Sequence, residues 1–188
     1  TALTIDNTTH TVTLEVPLPI ASGGTGVNSC STGQILIASG TNTAAFATPD
    51  GARVYHSTTQ TLSTGLASAV GFDSERYDNG GLHDTVTNNS RLTAQKAGKY
   101  LITAHLQFDT NTTGLRWARL RFNGTTDIAN LTVLPVAGTG TRLSLSTIYH
   151  LAAGDYVQVL AYQNSGGDLN LINEGNLSSE FAMQWLGP

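Results

Sequence analysis

The chain has a single cysteine, Cys30, in 188 residues, so no disulfide can form within it. That agrees with assembly in a reducing cytosol. Charge is also scarce: Asp, Glu, Lys and Arg make up 12% of the residues, about half the usual share. Basic residues number 9 against 13 acidic ones, a net charge of −4. Nucleic-acid binding needs a basic stripe to displace counterions, and Lys96 and Lys99 merely flank one turn. No nucleic-acid partner is expected. No apolar run reaches the ~20 residues of a membrane span, and no basic-then-apolar leader opens the chain. Membrane insertion is not expected either. The first residue is Thr1 rather than Met, which suggests a piece of a longer chain. Helical periodicity is nearly missing, since 66–70 is too short and too rich in small residues.

Catalytic patterns are missing as well. His10, His56, His83, His105 and His150 are scattered without HxxH or HExxH spacing. The acidic turn Asp73–Asn79 lacks the ligand order of a calcium loop and its closing Glu. Ser22–Gly26 is glycine-rich, but no Lys-Ser/Thr follows, so it is no phosphate loop. There is no GxSxG elbow. Glycosidase chemistry needs two carboxyl groups across one cleft, and no cleft is legible. The expectation is a protein that is not an enzyme and has no cofactor or metal.

Thr, Ser, Asn and Gly take the place of charge. Thr fits a pleated strand, and Asn and Gly fit tight corners. Alternation of period two runs through the chain. In 100–109, Tyr100, Ile102, Ala104, Leu106 and Phe108 share one face, while Thr103, His105, Gln107 and Asp109 share the other. In 115–122, Ala118, Leu120 and Phe122 oppose Trp117, Arg119 and Arg121, and Asn123-Gly124 then gives a strong hairpin signal. Further strands are expected at 52–58, 67–72, 82–86, 127–133, 142–151, 156–162 and 181–186. Short, regularly spaced strands indicate a sandwich or jelly roll. A head of this size buries roughly two-thirds of its unfolded surface, enough for a core without staples.

Residues 1–48 read differently. Val12, Leu14 and Val16 alternate with Thr11, Thr13 and Glu15; Pro17-Leu18-Pro19 and Ser22-Gly23-Gly24-Thr25-Gly26 follow. Large apolar residues are too few there for a core, so this piece needs identical chains or another partner.

Residues 51–188 resemble the globular head of complement component one, subcomponent q, and its tumour-necrosis-factor-like relatives. The carriers, in order, are Phe72-Asp73, Asn79-Gly80-Gly81-Leu82-His83-Asp84, Arg91-Leu92-Thr93, Ala97-Gly98-Lys99-Tyr100, Gly114-Leu115-Arg116 and Asn123-Gly124. Ala153-Gly154-Asp155-Tyr156-Val157 and Trp185-Leu186-Gly187 complete the set. His83 stands where that family usually has Tyr, Asn89 stands near where it has Gly, and there is no Gly-X-Y stalk. In place of the stalk, 18–26 and 33–40 look like repeats of phage tail-fibre proteins. The resemblance implies an all-β, ten-strand antiparallel jelly-roll sandwich that is homotrimeric. A short extended fibrous β segment (1–48) precedes the head (49–188).

One feature independent of the resemblance agrees. In 156–162, Tyr156, Gln158, Leu160 and Tyr162 form one face, and Val157, Val159 and Ala161 form the other. Neither is charged, and a strand apolar on both faces is buried on both. The trimer interface is therefore expected at Tyr156, Val157, Val159, Leu160, Tyr162 and Trp117. Trp117 with Arg116, Arg119 and Arg121 is the densest candidate for recognition, because aromatic-plus-Arg clusters are common hot spots. The competing expectation is that these side chains serve the trimer, their strand belonging to the inner sheet on the family pattern. Candidate ligand-binding loops carry Asp73, Asp78, Asn79, Asn111, Asn164 and Asp168. The function expected is a bacteriophage virion fibre, made in the bacterial cytoplasm. Its N-terminal segment would hold other virion proteins and its head would bind a host cell-surface glycan or protein. Alternatives are a capsid or collar decoration without receptor role, or a bacterial surface protein of the same fold.

Overall fold

The computed structural model describes residues 3–6, 8, 11–14, 31–40 and 43–188. The tract 18–26, Val16 and Cys30 lie outside these. The chain divides into two compact units, Thr1–Pro49 and Asp50–Pro188. In the first, β1 (Leu3–Asp6) pairs antiparallel with β2 (Thr11–Leu14), and β3 (Ile35–Gly40) with β4 (Thr43–Ala47). Both are two-stranded, a form that is at best marginally stable in water by itself.

The second unit is all-β, with no α-helix among its residues. Its strands are β5 (Gly51–Tyr55), β6 (Gln60–Leu62), β7 (Ser68–Ala69), β8 (Ser74–Asn79), β9 (Arg91–Thr93), β10 (Gly98–Phe108), β11 (Arg116–Phe122), β12 (Thr126–Val133), β13 (Thr141–Leu151), β14 (Tyr156–Gln163), β15 (Leu169–Leu171) and β16 (Glu180–Gly187). They form two antiparallel sheets. The larger one runs β13-β10-β16-β5-β8, with β15 and β6 continuing it beside the far end of β10. The smaller one runs β12-β11-β14, with β7 and β9 sharing the free side of β14.

The core lies between the sheets, and the alternation seen in the sequence aims side chains into it. Tyr100, Ile102, Leu106 and Phe108 of β10, Val54 of β5 and Phe181 and Met183 of β16 meet Ala118 and Leu120 of β11 and Val157, Val159 and Ala161 of β14. Phe72 packs on Phe181 with ring centroids 5.8 Å apart. The Asn-Gly signal is realised as a tight turn. Asn123 and Gly124 have φ of 45° and 72°, and the Thr125 N–H donates to Phe122 O at 3.1 Å. Two successive positive φ values define the turn that matches strand twist.

Several expected boundaries move. Residues 82–86 form no strand. Leu82 is buried, but the Asp78 carboxylate accepts the N–H groups of both Leu82 and His83 at 3.0 Å, which closes a compact corner instead of a ladder. Residues 74–79, expected as loop, are β8, which pairs with β5. The strand expected at 67–72 shrinks to two residues, while Val70 and Phe72 stay fully buried and bond through their N–H groups to Val159 and Asn89.

The two ends of the head differ. Asp50, where the first unit joins, sits beside the turn before β10: Lys96 Nζ donates to its carboxylate at 2.9 Å, and its carbonyl accepts Trp185 N–H. Phe108, Leu115, Gln163 and Leu171 mark the opposite end, since β10, β11 and β14 span the whole head.

Candidate functional site

Position in the sandwich decides which expected interface residues can meet a partner. Val157 and Val159 are 0% exposed within one chain. They point into the core between the sheets, so they cannot form a subunit interface; this corrects the expectation for both. Tyr156, Leu160 and Tyr162 alternate with them and point outward, as does Trp117 on β11. The strand looked in need of a partner on two sides because neither face is charged. The outward face is in fact covered by the chain itself. Arg119 lies over the Trp117 ring at 4.3 Å, and Arg91 over the Tyr156 ring at 4.7 Å. Leu160 is left 8% exposed, registered against Arg119 on one side and Ala69 on the other.

The outward face of the smaller sheet is built in rows. At the end far from Asp50, Thr132, Trp117 and Tyr162 register side by side, and Trp117 and Tyr162 stack with centroids 5.1 Å apart and planes 5° from parallel. The middle row is Asn130, Arg119 and Leu160. The third is Asp127, Arg121, Gln158 and Arg91. Asp127 ties the rows together: Oδ2 accepts from Arg119 Nη1 and Oδ1 from Arg121 Nε, each at 2.8 Å. The hydrogen bond from Arg121, then that from Arg119 and the charges of both, outweigh partial burial and hold this carboxyl below its ordinary value. The strand of Trp117 therefore lies in the sheet opposite the one formed by β5, β10, β13 and β16. Arg119 and Arg121 bond to an acid of their own chain.

Of the loop candidates, Asn111 and Asn164 come together with Asp168 at the far end. Leu115 N–H donates to Asn164 Oδ1 at 2.6 Å, and Asn111 Oδ1 accepts Thr113 N–H at 2.8 Å. Gly114 has φ +73°, and a Cβ there would lie 2.3 Å from Asn164 O, so only glycine fits. Beneath them Arg116 is 0% exposed. Its guanidinium donates to the carbonyls of Thr113, Leu115 and Asn111 at 2.9, 3.0 and 3.2 Å. Grouped by sequence with Trp117, Arg119 and Arg121 as a candidate for recognition, Arg116 is instead withdrawn from the surface; nothing in the sequence signalled a cation whose partners are carbonyls rather than an acid.

Asp73, Asp78 and Asn79 lie apart from that group. Asp78 shapes the corner at Leu82, and Asn79 ends β8 opposite Gly51. Asp73 accepts both the N–H and the hydroxyl of Ser57, at 2.7 and 2.9 Å. Burial pushes its carboxyl up, but the bonds from Ser57 and Ser74 win and leave it below the ordinary value. Nearby His56 is 2% exposed, and neither ring nitrogen makes a hydrogen bond. Burial lowers its pKa below the ordinary 6.5, with Asp73 and the backbone of Thr58 and Ile172 pulling the other way. The side chain of His83 is sealed between Glu75 Oε1 at 2.9 Å and Asn89 O at 3.1 Å. Among the described residues, no group of three or more His, Cys, Asp or Glu side chains could hold a metal ion, and no helix is long and apolar enough to cross a membrane.

The larger sheet turns a different face outward. Leu101, Ile148 and Leu186 are 38%, 59% and 53% exposed, and Leu101 registers directly against Ile148. Beside them Ser146, Thr103 and Ala182 form a row of small neutral side chains. They floor a shallow concavity of about 430 Å³ that also reaches His105, Ser144 and Arg53.

Two sheets with this strand order, closed on one core with no α-helix among the described residues, form a jelly roll of the tumour-necrosis-factor and complement-head type. Murine APRIL has this fold at a TM-score of 0.56 and 13% identity, over 73% of this chain and 99% of that one. The Eiger TNF of S. frugiperda matches at 0.54 and 13%, over 74% of this chain and 93% of its own. The globular domain of zebrafish complement 1qA protein matches at 0.51 and 14%, over 71% and 94%. At these identities the likeness is one of fold. No protein-family model and no curated protein matches the sequence.

Proposed function

We propose that this chain is a non-enzymatic virion protein of a bacterial virus: a trimeric fibre whose distal jelly-roll head binds a component of the host surface. The observation that carries the reading is the outward face of the larger sheet. Leu101, Ile148 and Leu186 stand exposed there among Thr103, Ser146 and Ala182, and the charge beside that row, Arg53 next to Ala182, is paired with Glu180. An exposed apolar patch on a sheet marks an interaction surface, and identical chains closing round an axis bury it on every copy. The trimer interface thus passes from β14 to β10, β13 and β16. The repeats at 18–26 and 33–40 that look like those of phage tail fibres supply the appendage part of the reading. The first unit holds other virion proteins, and the head, joined to it at Asp50, presents its opposite end to the host. The polar loops at Asn111 and Asn164 sit on a rigid scaffold, where binding commonly resides.

Light scattering of the purified chain should give the mass of a trimer at micromolar concentration, and purified trimers should coat host cells and block infection. Trimers that neither bind cells nor compete with the virus would replace this reading with that of a decoration.

A further inference from the structure

Resting on that host-binding reading, we propose that the outward face of the smaller sheet is the ligand site, and that it takes an acidic polysaccharide bearing carboxylate or phosphate groups. The charge is the first argument. The chain is net −4, yet the fold gathers Arg91, Arg119 and Arg121 on this one face against a single acid, Asp127. The face is locally cationic on an acidic molecule.

The donors are the second argument. Asp127 takes one nitrogen from each of Arg119 and Arg121 and so fixes both guanidinium planes. The remaining N–H groups of each fork are left for an external acceptor. A planar fork held in place matches a carboxylate or phosphate in paired hydrogen bonds and loses little entropy on binding. Arg91, resting on Tyr156, lies two strands from Arg121 across Gln158. Two strand spacings are ~10 Å, a span that a short oligosaccharide covers.

The apolar surface is the third argument. The stacked Trp117 and Tyr162 stand half-buried beside the cations, with Arg119 over the Trp117 ring and Leu160 buried in the next row. Sugar C–H groups can meet the half-exposed edges of these two rings, and Asn130, Thr132 and Gln158 beside them offer amide and hydroxyl partners. A nucleic acid fits less well: three arginines release too few counterions to hold a phosphate backbone at physiological salt. The patch also runs into the loops at Asn111 and Asn164, since Trp117 and Tyr162 are the last outward pair before them. In the trimer built on the larger sheet, this face stays free on every copy.

The test is titration of the full-length protein with a short oligogalacturonate, with neutral dextran oligosaccharide as comparison. The wild type should bind the acidic sugar and leave the neutral one. R119Q and R121Q should each weaken binding by roughly tenfold, the value of one charge-assisted contact. Lys99→Gln, which removes a charge outside this face, should change nothing. Asp127→Asn adds one net positive charge but frees both guanidinium planes, so at an unchanged melting temperature it should weaken binding, the opposite of what charge attraction alone gives. Equal binding by wild type and R121Q, or tighter binding by Asp127→Asn than by wild type, overturns the site. A parallel cell-coating assay separates the two readings. Wild type and R119Q coating cells equally overturns the site and leaves host binding standing. Oligogalacturonate binding without any cell coating supports the site and overturns host binding.

Discussion

Arg116 sets two large effects against each other at a single residue. Burying a guanidinium weakens its hold on a proton, and its Nε atom has no partner. Against that stand charge-assisted bonds to three carbonyls of the loop at 111–115, each stronger than a neutral bond. The loop therefore owes its shape to a cation beneath it. Arg116→Met keeps most of the volume and removes every donor, so stability should fall by about 2 kcal/mol in denaturant unfolding. Amide exchange at 111–115 should rise well before the rest of the head opens. His56 acts through pH. Its folded pKa lies below 6.5, so the unfolded chain binds more protons once pH drops under that value. The stability it contributes is complete above pH 6.5 and declines as pH falls from there toward the folded value. Asp73 and Asp127, both lowered from 3.8, add a separate loss only as pH falls through about 3.8. The melting temperature should therefore fall in two stages, and His56→Gln should flatten the first. A first stage that persists in His56→Gln would assign it to another group.

Strands with an alternating apolar face were legible, and edge strands were not. β10, β11 and β14 write their inward faces plainly, because Tyr100 to Phe108, Ala118 to Phe122 and Val157 to Ala161 each place an apolar side chain at every second position. β8 could not be read that way. Ser-Glu-Arg-Tyr-Asp-Asn has no apolar alternation, since an edge strand needs only backbone pairing to β5 and charged ends that discourage further pairing. The faces of β14 show a second limit. Period two separates Val159 from Leu160 but does not say which one faces the core, nor that Arg119 from the next strand would lie across the outer side. Charge gathered from three strands, as in the row Asp127–Arg121–Gln158–Arg91, is equally invisible until register is known. The two faces are separable by mutation. Val159→Asp buries an unpaired charge in the core and should unfold the head, a loss on the order of 3–5 kcal/mol. Ile148→Asp, on the outward face of β13, should leave far-ultraviolet circular dichroism intact and convert the trimer to monomers by light scattering. A trimeric Ile148→Asp would move the interface off the larger sheet.

For the whole molecule, the ends of the head matter more than any single contact. The first unit enters at Asp50, which is tied into the head by Lys96 and by Trp185 and Gln184. The Trp117–Tyr162 pair and the loops at Asn111 and Asn164 lie toward the opposite end. Removing 1–49 should therefore leave the head's melting temperature unchanged. Binding at the cell surface should depend on copy number as well as on the site. One shallow face with two or three charge-assisted contacts binds weakly, because association costs much of what those contacts give. Three such faces on one trimer make each later contact intramolecular, and linked sites of this kind gain on the order of 10² to 10⁴ in overall retention without any new contact. The trimer-breaking change at Ile148 and the site change at Arg121 should then fail in different ways. Ile148→Asp should keep wild-type affinity for a short oligogalacturonate, since that ligand touches one face, yet wash off host cells at least roughly a hundredfold faster. Arg121→Gln should stay trimeric and lose both. Dissociation from immobilised cells, followed by surface plasmon resonance, measures the difference. An Ile148→Asp monomer that stays on cells as long as the trimer would show that a single head suffices and that multivalency has no part in attachment.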